Sequence, residues 1–302
     1  MPDDDKRPLN GFVVIDKPAG WTSHDVVAHA RRILADRKIG HAGTLDPAAT
    51  GVLPLAVGSA TKVLEYLFDA SKTYVADVTF GVDTDSYDAD GVVTTVREAG
   101  HLGEADVEQA VAAHRGEVDQ IPPMHSAIRV GGQRLYDLAR RGEVIDRAAR
   151  RIVVHRLDVL GWNPPVATLL VDCSKGTYVR SLAYDLGRFT GTGAHLSDLV
   201  RVRTGPFCLS DAWTLEELRD QPIRERWHEI ALHPDAVLGD AGALLLDREA
   251  SQRWSHGGSI AGPGEENDLI RTYSEGGEWL GVGSWDATQS SWRPLKVVES
   301  AP

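Results

Sequence analysis

The sequence predicts a large unit of interleaved strands and helices followed by a small all-β unit. Three observations carry this. Period-two and helix-period apolar patterns follow one another through the first two thirds of the chain. From about residue 236 the composition turns glycine-rich, with short strand patterns between frequent turns. The 302 residues, with 42% hydrophobic content, suffice for one large core and one small one. The longest apolar runs are about six residues, far short of the roughly 20 that a membrane helix needs, so no membrane partner is expected. Cys173 and Cys208 lie far apart with no Cys-x-x-Cys pair, which argues against a disulfide framework or zinc ribbon and for the cytosol. Residues 1–10 are acidic and polar, lack the regions of a signal peptide, and read as a disordered tail.

Residues 11–16 read as a short strand bounded by Gly11 and Asp16. Thr22 or Ser23 then caps a helix with Val26, Ala30, Ile33 and Leu34 on its apolar face. His24 and His29 sit on that helix without a partner at metal spacing, as surface residues. Residues 73–80 alternate cleanly, with Tyr74, Ala76, Val78 and Phe80 on one face. Asp83, Asp85, Asp88 and Asp90 resemble a calcium loop in composition only, because Arg97 stands where the closing glutamate would be needed. A helix is expected over 105–114, ended by Gly116, and a short one over 135–140, stopped by Gly142. Strands are expected over 152–160 and 166–173. A helix follows the glycine turn at Gly176, and another opens at Thr214, with Glu217 at capping-box spacing. The last unit carries four of the eight tryptophans (254, 279, 285 and 292), assigned to its core, and strands over 269–273, 280–285 and 295–298.

The most structured stretch is 40–51, Gly-His-Ala-Gly-Thr-Leu-Asp-Pro-Ala-Ala-Thr-Gly. Glycines permit positive φ, and the residue before Pro47 is pushed to extended geometry, so the direction of Asp46 is fixed. Asp46 is the only formally charged side chain between Lys38 and Lys62, and the apolar run 52–57 follows at once. A lone carboxylate on a rigid loop beside a core is a candidate nucleophile or acid/base. It is equally an Asp-Pro turn residue, and spacing alone leaves both readings open.

This loop resembles the catalytic motif of the TruB family of tRNA pseudouridine synthases, which act on the T-loop uridine at tRNA position 55. Further segments resemble that family in order: residues 16–23 its first motif, 72–74 its second, and 120–127 one of its loops. Lys175-Gly176-Thr177-Tyr178-Val179-Arg180-Ser181-Leu182 resembles its third motif, and 193–199 the next segment. The resemblance covers about residues 11–210, and the remainder loosely resembles a PUA-type domain. It implies an α+β fold with a mixed, mostly antiparallel central sheet and flanking helices. The catalytic domain would span 11–235, and a small PUA-like β-barrel 236–302. It implies Asp46 as nucleophile, Arg180 as its partner and Tyr74 as the base at C5. His41 would prop the site vacated by the target base, Tyr178 would pack on the substrate, Leu199 would line the uridine pocket, and Lys17 would support the loop or pair with a carboxylate. Arg180 could meet Asp46 through two donors and keep it ionised.

The net charge of −12 is unusual for a nucleic-acid enzyme. Between residues 125 and 156, however, eight arginines face three acids, a local +5. Arg129, Arg134, Arg140, Arg141, Arg150 and Arg151 of this strip are the candidates for RNA phosphates. The acidic body elsewhere would repel RNA. The final 63 residues are acidic, with ten acids and five bases. No P-loop, dinucleotide loop or metal set is present, so no cofactor or metal is expected. The partner expected is the T-arm of tRNA, read by a cytoplasmic monomer without guide RNA. A non-catalytic RNA-binding protein, a guide-dependent relative and a two-carboxylate glycoside hydrolase are the alternatives.

Overall fold

The computed structural model describes residues 9–126, 128–239, 241–266 and 268–298. Strand β1 (Gly11–Lys17) is buried along almost its whole length. Thr22 then caps α1 (Ser23–Ile33) through a reciprocal capping box with Asp25. β2 (Ile39–His41) and β3 (Thr50–Val57) pair antiparallel, so the loop carrying Asp46 is the connection of a hairpin rooted in the core. α2 (Leu64–Asp69) leads into β4 (Lys72–Phe80), where the alternation holds: Tyr74, Ala76, Val78 and Phe80 are the buried face. β5 (Val82–Thr84) and β6 (Val93–Val96) form a small hairpin, and Arg97 ion-pairs with Asp83 where a calcium reading would require a ligand.

α3 (Glu104–Ala113) and β7 (Gly116–Gln120) follow. The chain then leaves the sheet over residues 121–149, which hold β8 (Arg129–Val130), β9 (Gln133–Arg134) and α4 (Leu135–Arg140). It returns in β10 (Arg150–Asn163), whose Arg150 pairs with Gln120, so both ends of this insertion are fixed at one sheet edge. β11 (Val166–Cys173), α5 (Val179–Thr190) and β12 (Ala194–Thr204) complete the centre. β13 (Phe207–Cys208), β14 (Ala212–Trp213), α6 (Leu215–Arg219) and α7 (Trp227–Ile230) close the large unit.

Among the described residues the central sheet holds ten strands, in the order β14-β1-β3-β12-β4-β11-β10-β7, with β2 on β3 and β13 on β12. The β1–β14 and β3–β12 pairs are parallel and the others antiparallel, the mixed, mostly antiparallel sheet expected. β12 was not foreseen as a strand, because His195, Ser197, Asp198, Arg201 and Arg203 interrupt its apolar pattern. It is nevertheless central. It pairs parallel to β3 at Val200–Thr50 and Arg201–Gly51, and antiparallel to β4 at Arg201–Tyr74. The register thus brings the end of the Asp46 loop, Tyr74 and Arg201 to one level of the sheet.

Leu9 and Asn10, placed by expectation in a disordered tail, are fixed in the fold. Leu9 is buried in the first core, and Asn10 accepts from the Ser59 amide through its side chain and from the Trp227 indole through its carbonyl. Residues 1–8 lie outside the described residues.

The small unit contains β15 (Gly242–Leu246), α8 (Arg248–Ser255), β16 (Ile260–Ala261), β17 (Leu269–Ser274), β18 (Trp279–Asp286) and β19 (Ser291–Val297). Its curled sheet, ordered β15-β17-β18-β19-β16, surrounds Trp254, which is fully buried with Leu246, Ile270, Leu280 and Trp292. Trp279 faces the other way, into a cluster shared with Phe12, Val14 and Leu67 of the large unit. Lys62 donates to the Val297 carbonyl at 2.8 Å, and Lys296 pairs with Glu65 at 2.9 Å, which pins the two units together at their rim.

Gly51 joins the Asp46 loop to β3 at φ +95°, and a Cβ there would lie 2.3 Å from the Arg201 carbonyl oxygen. Gly51→Ala therefore meets both a backbone penalty and a clash with a central strand. It is expected to destabilise the protein by about 2–6 kcal/mol. A urea midpoint unchanged from the parent would show that β3 and β12 are not held this close.

Candidate active site

The Asp46 loop is fixed on both sides of the carboxylate. On one side, the buried Ser23 hydroxyl accepts from Leu45 N at 2.9 Å and donates to Leu45 O at 3.2 Å. On the other, Pro47 O receives Gly20 N at 2.8 Å and Lys17 Nζ at 3.1 Å. The Lys17 ammonium also donates to Pro18 O and Trp21 O, and the residue is fully buried. Lys17 thus supports the loop through carbonyls. It forms no ion pair with a carboxylate among the described residues, and its burial keeps it from touching a substrate.

Arg180 lies in the first turn of α5, just past the N-cap at Tyr178, with its side chain 6% exposed. Its Nε meets Asp46 Oδ2 at 3.0 Å, Nη1 meets Asp88 Oδ2 at 3.2 Å, and Nη2 donates to His125 O at 3.0 Å. The expected two-donor contact with Asp46 is therefore a single one. The other nitrogens are committed to a second carboxylate and to the base of the insertion. Asp88 is held in turn by the Ser86 hydroxyl and the Asp90 amide on its other oxygen. From the sequence Asp88 was read only as one aspartate of the run 83–90, calcium-like in composition and turn-forming in role, and not as a site residue.

Asp46 keeps 45% of its side chain open to the cleft. Burial of the carboxyl pushes its pKa up from the ordinary aspartate value, Arg180 pulls it back, and Asp88 pushes it up again. The net direction is upward, opposite to the expectation that Arg180 alone would set it.

The wall facing the loop is apolar. Leu45, Tyr74 and Leu199 belong to one buried cluster, with Tyr74 on β4 and Leu199 on β12. Arg201 of β12, 1% exposed, is the cross-strand neighbour of Tyr74. Tyr178 is half-buried. Its backbone is clamped by the Gln120 side chain at 2.8 and 3.0 Å. His41 stacks edge-on against His24 of α1 at 5.8 Å, a neighbour not expected for His24. Burial, His24 and Arg201 all push the His41 pKa down, toward the neutral ring.

Beyond the cleft, the arginine strip is only partly free. Arg129 and Arg150 are exposed. Arg140 lies over the Tyr136 ring, Arg141 is bound by Glu143 and Gln133, and Arg151 by Glu117 and Asp119. The Arg134 side chain lies outside the described residues.

A mixed sheet carrying a loop-borne aspartate, a helix-borne arginine and an apolar wall with one tyrosine is the arrangement of a pseudouridine synthase. Two family descriptions match the chain: "TruB family pseudouridylate synthase (N terminal domain)" over residues 31–179 and "tRNA pseudouridylate synthase B C-terminal domain" over 180–239. The chain belongs to the TruB family. A relative named tRNA pseudouridine synthase B from Symbiobacterium thermophilum is 49% identical over 252 residues, 82% of each chain. Another of that name from Aromatoleum aromaticum is 42% identical over 298 residues, covering 98% of this chain and 96% of its own. Among solved structures, a Cbf5-Nop10-Gar1 complex aligns with a TM-score of 0.74 at 27% identity, covering 99% of this chain and 90% of that one.

Two expectations follow from the clamp and the carboxyl. Ser23→Ala strands the buried Leu45 amide and frees the nucleophile loop. We expect a stability loss of about 1–3 kcal/mol and a disproportionate fall in turnover. A variant that is less stable but fully active would show that the clamp does not orient Asp46. For Asp46 itself, a raised folded pKa means that lowering the pH protonates the nucleophile before an ordinary aspartate would titrate. The acid limb of the single-turnover rate should accordingly lie above the ordinary value of 3.8, and a limb at or below it would contradict the geometry.

Proposed function

We propose that the protein isomerises uridine to pseudouridine in the T-loop of tRNA, at position 55, with Asp46 as nucleophile and without guide RNA. The observation that carries this is the single open carboxylate, fixed at both neighbours and held at 3.0 Å by a buried arginine, opposite an apolar wall with Tyr74. The shared name of the relatives, tRNA pseudouridine synthase B at 49% and 42% identity, supports tRNA as the substrate. The solved assemblies that resemble the chain, including an "H/ACA RNP bound to a substrate RNA containing 2'-deoxyuridine", do so at only 26–27% identity, which weighs against a guide-dependent reading.

The reaction breaks N1–C1′, turns the base and joins C5 to C1′. One proton leaves C5 and one arrives at N1, so no net oxidant, reductant or activated phosphate is consumed. Asp46 would form a covalent adduct at the ribose carbon or at C6, and so retain the reacting half while the other turns. Leu199 and Tyr178 would hold the base, Tyr74 would receive the C5 proton, and Arg180 would keep Asp46 aimed. The uridine must leave its stack to reach Asp46, and His41 is the group that would occupy the vacated position. The exposed arginines of the insertion would seat phosphates. In this reading residues 11–235 form the catalytic domain and 236–302 a PUA-like domain of a cytoplasmic monomer.

Asp46→Asn should abolish turnover while leaving tRNA affinity within about tenfold. Because the folded state raises the pKa of Asp46, the charged form costs the fold at neutral pH. That cost is absent below the ordinary pKa and present above the folded one, so the asparagine variant should melt no lower than its parent. Substantial residual turnover would remove Asp46 from the nucleophile role. Arg180→Lys cannot serve Asp46, Asp88 and His125 O at once, and a misplaced nucleophile costs about a hundredfold. Its single-turnover rate should fall at least that far with little change in affinity. A near-normal rate with weaker, less salt-sensitive binding would move Arg180 to RNA contact. The substrate itself is tested by mapping pseudouridine in total tRNA from cells with and without the protein, where loss confined to position 55 is expected. Purified protein acting on a tRNA transcript with no other RNA present tests independence from a guide.

A further inference from the structure

Arg201 is the most deeply buried guanidinium of the site and the least explained by loop support alone. It is 1% exposed in the central strand β12. Its Nε donates to Val52 O at 2.7 Å and its Nη2 to Gly43 O at 3.0 Å. Directly across the β12–β4 register it faces Tyr74, whose ionised form its charge favours. No carboxylate lies within ion-pair distance of it among the described residues. A buried cation without an anion is costly, typically several kcal/mol, and usually persists where the missing anion forms during function.

The groups around it deepen the imbalance. Burial first, and then its positive charge, lower the pKa of Lys17 on β1, Lys72 on β4 (to about 8) and His41 on β2. Burial pushes the Tyr74 phenol up, Cys173 on β11 and Asp46 in the loop push it the same way, and Arg201 is the group that pulls it back. Arg201 has only donors, so toward it the phenol oxygen can act only as an acceptor.

We propose that Arg201 is the positioning residue that makes Tyr74 competent as the base at C5, by holding the phenolate oxygen as the anion its guanidinium lacks. This rests on the reading of Tyr74 given above. Once C5 has joined C1′, the phenolate takes the C5 proton, the electrons of that C–H bond restore the C5=C6 double bond, and Tyr74 becomes a phenol. The phenol then returns its proton toward N1 or solvent. Without Arg201 the ionised phenol would be an unpaired charge in an apolar wall, and proton removal would become the slow step.

The test uses full-length protein and tRNA carrying uridine or 5-deuterouridine at the target position, under single-turnover conditions. Arg201→Lys should lower the rate at least tenfold, raise the isotope effect, and lose less at high pH than at neutral pH, with tRNA affinity within about threefold. In a Tyr74→Phe background the same substitution should cost little more. An unchanged isotope effect, with equal losses in both backgrounds at every pH, would make Arg201 merely structural and overturn the proposal. Tyr74→Phe with a normal rate and isotope effect would instead sink the reading of Tyr74 itself. Should Arg201→Lys fail to fold, fluorotyrosine at position 74 with Arg201 intact carries the test. A more acidic phenol should speed the neutral-pH reaction and shrink the isotope effect, and no change in either would refute the proposal.

Discussion

One guanidinium holds this site together. The three edges of Arg180 reach Asp46 on the hairpin loop, Asp88 beyond β5 and the His125 carbonyl at the root of the insertion. These three segments are distant in sequence and share no strand pairing with each other. A buried charge is expensive unless each of its donors is met, so the folded state can keep Arg180 only if all three segments arrive together. The same requirement explains why α5 begins where it does. Tyr178, fixed by Gln120, ends the extended backbone two residues before the arginine that must turn inward.

Much of this was legible. The loop announced itself through glycines, Asp-Pro and isolation of charge, and β4 and β11 through their alternation. Thr22 and Thr214 were readable as caps because capping is a local interaction. What the sequence hid was non-local. β12 sits between two apolar strands yet carries polar residues, because carbonyls of β3 and of the Asp46 loop take Arg201, while Asp172 of β11 and Thr73 of β4 take Arg203. No window of its own residues reveals that. Asp88 looked like a turn residue because its partner lies 92 positions away. Lys17 was readable as a cation but not as one spent wholly on carbonyls. The direction of the Asp46 pKa was misjudged for a similar reason: Arg180 was visible in sequence, whereas burial and the competing Asp88 were not.

The charge distribution is also less simple than a count of arginines. Arg151 and Arg141 are bound by neighbouring acids, so the basic strip is weaker locally than its composition implies. Such exposed pairs contribute little to stability, typically about 0–1 kcal/mol each. They are easily exchanged for a stronger anion, and a phosphate arriving at the insertion would compete with Glu117, Asp119 and Glu143 rather than fill empty sites.

The docking of the small unit has a consequence for how the chain is made. The first strand presents Phe12 and Val14 to a cluster that also contains Trp279, Val282 and Val298, nearly the last described residues. β1 takes β14 as its parallel neighbour, and Phe12 bridges to Leu232. A ribosome releases residues in order, so this apolar face waits uncovered until almost the whole polypeptide has emerged. The first strand is then covered by residues that emerge more than 260 positions later. A chain that stops before Trp279 leaves Phe12 and Val14 without these partners.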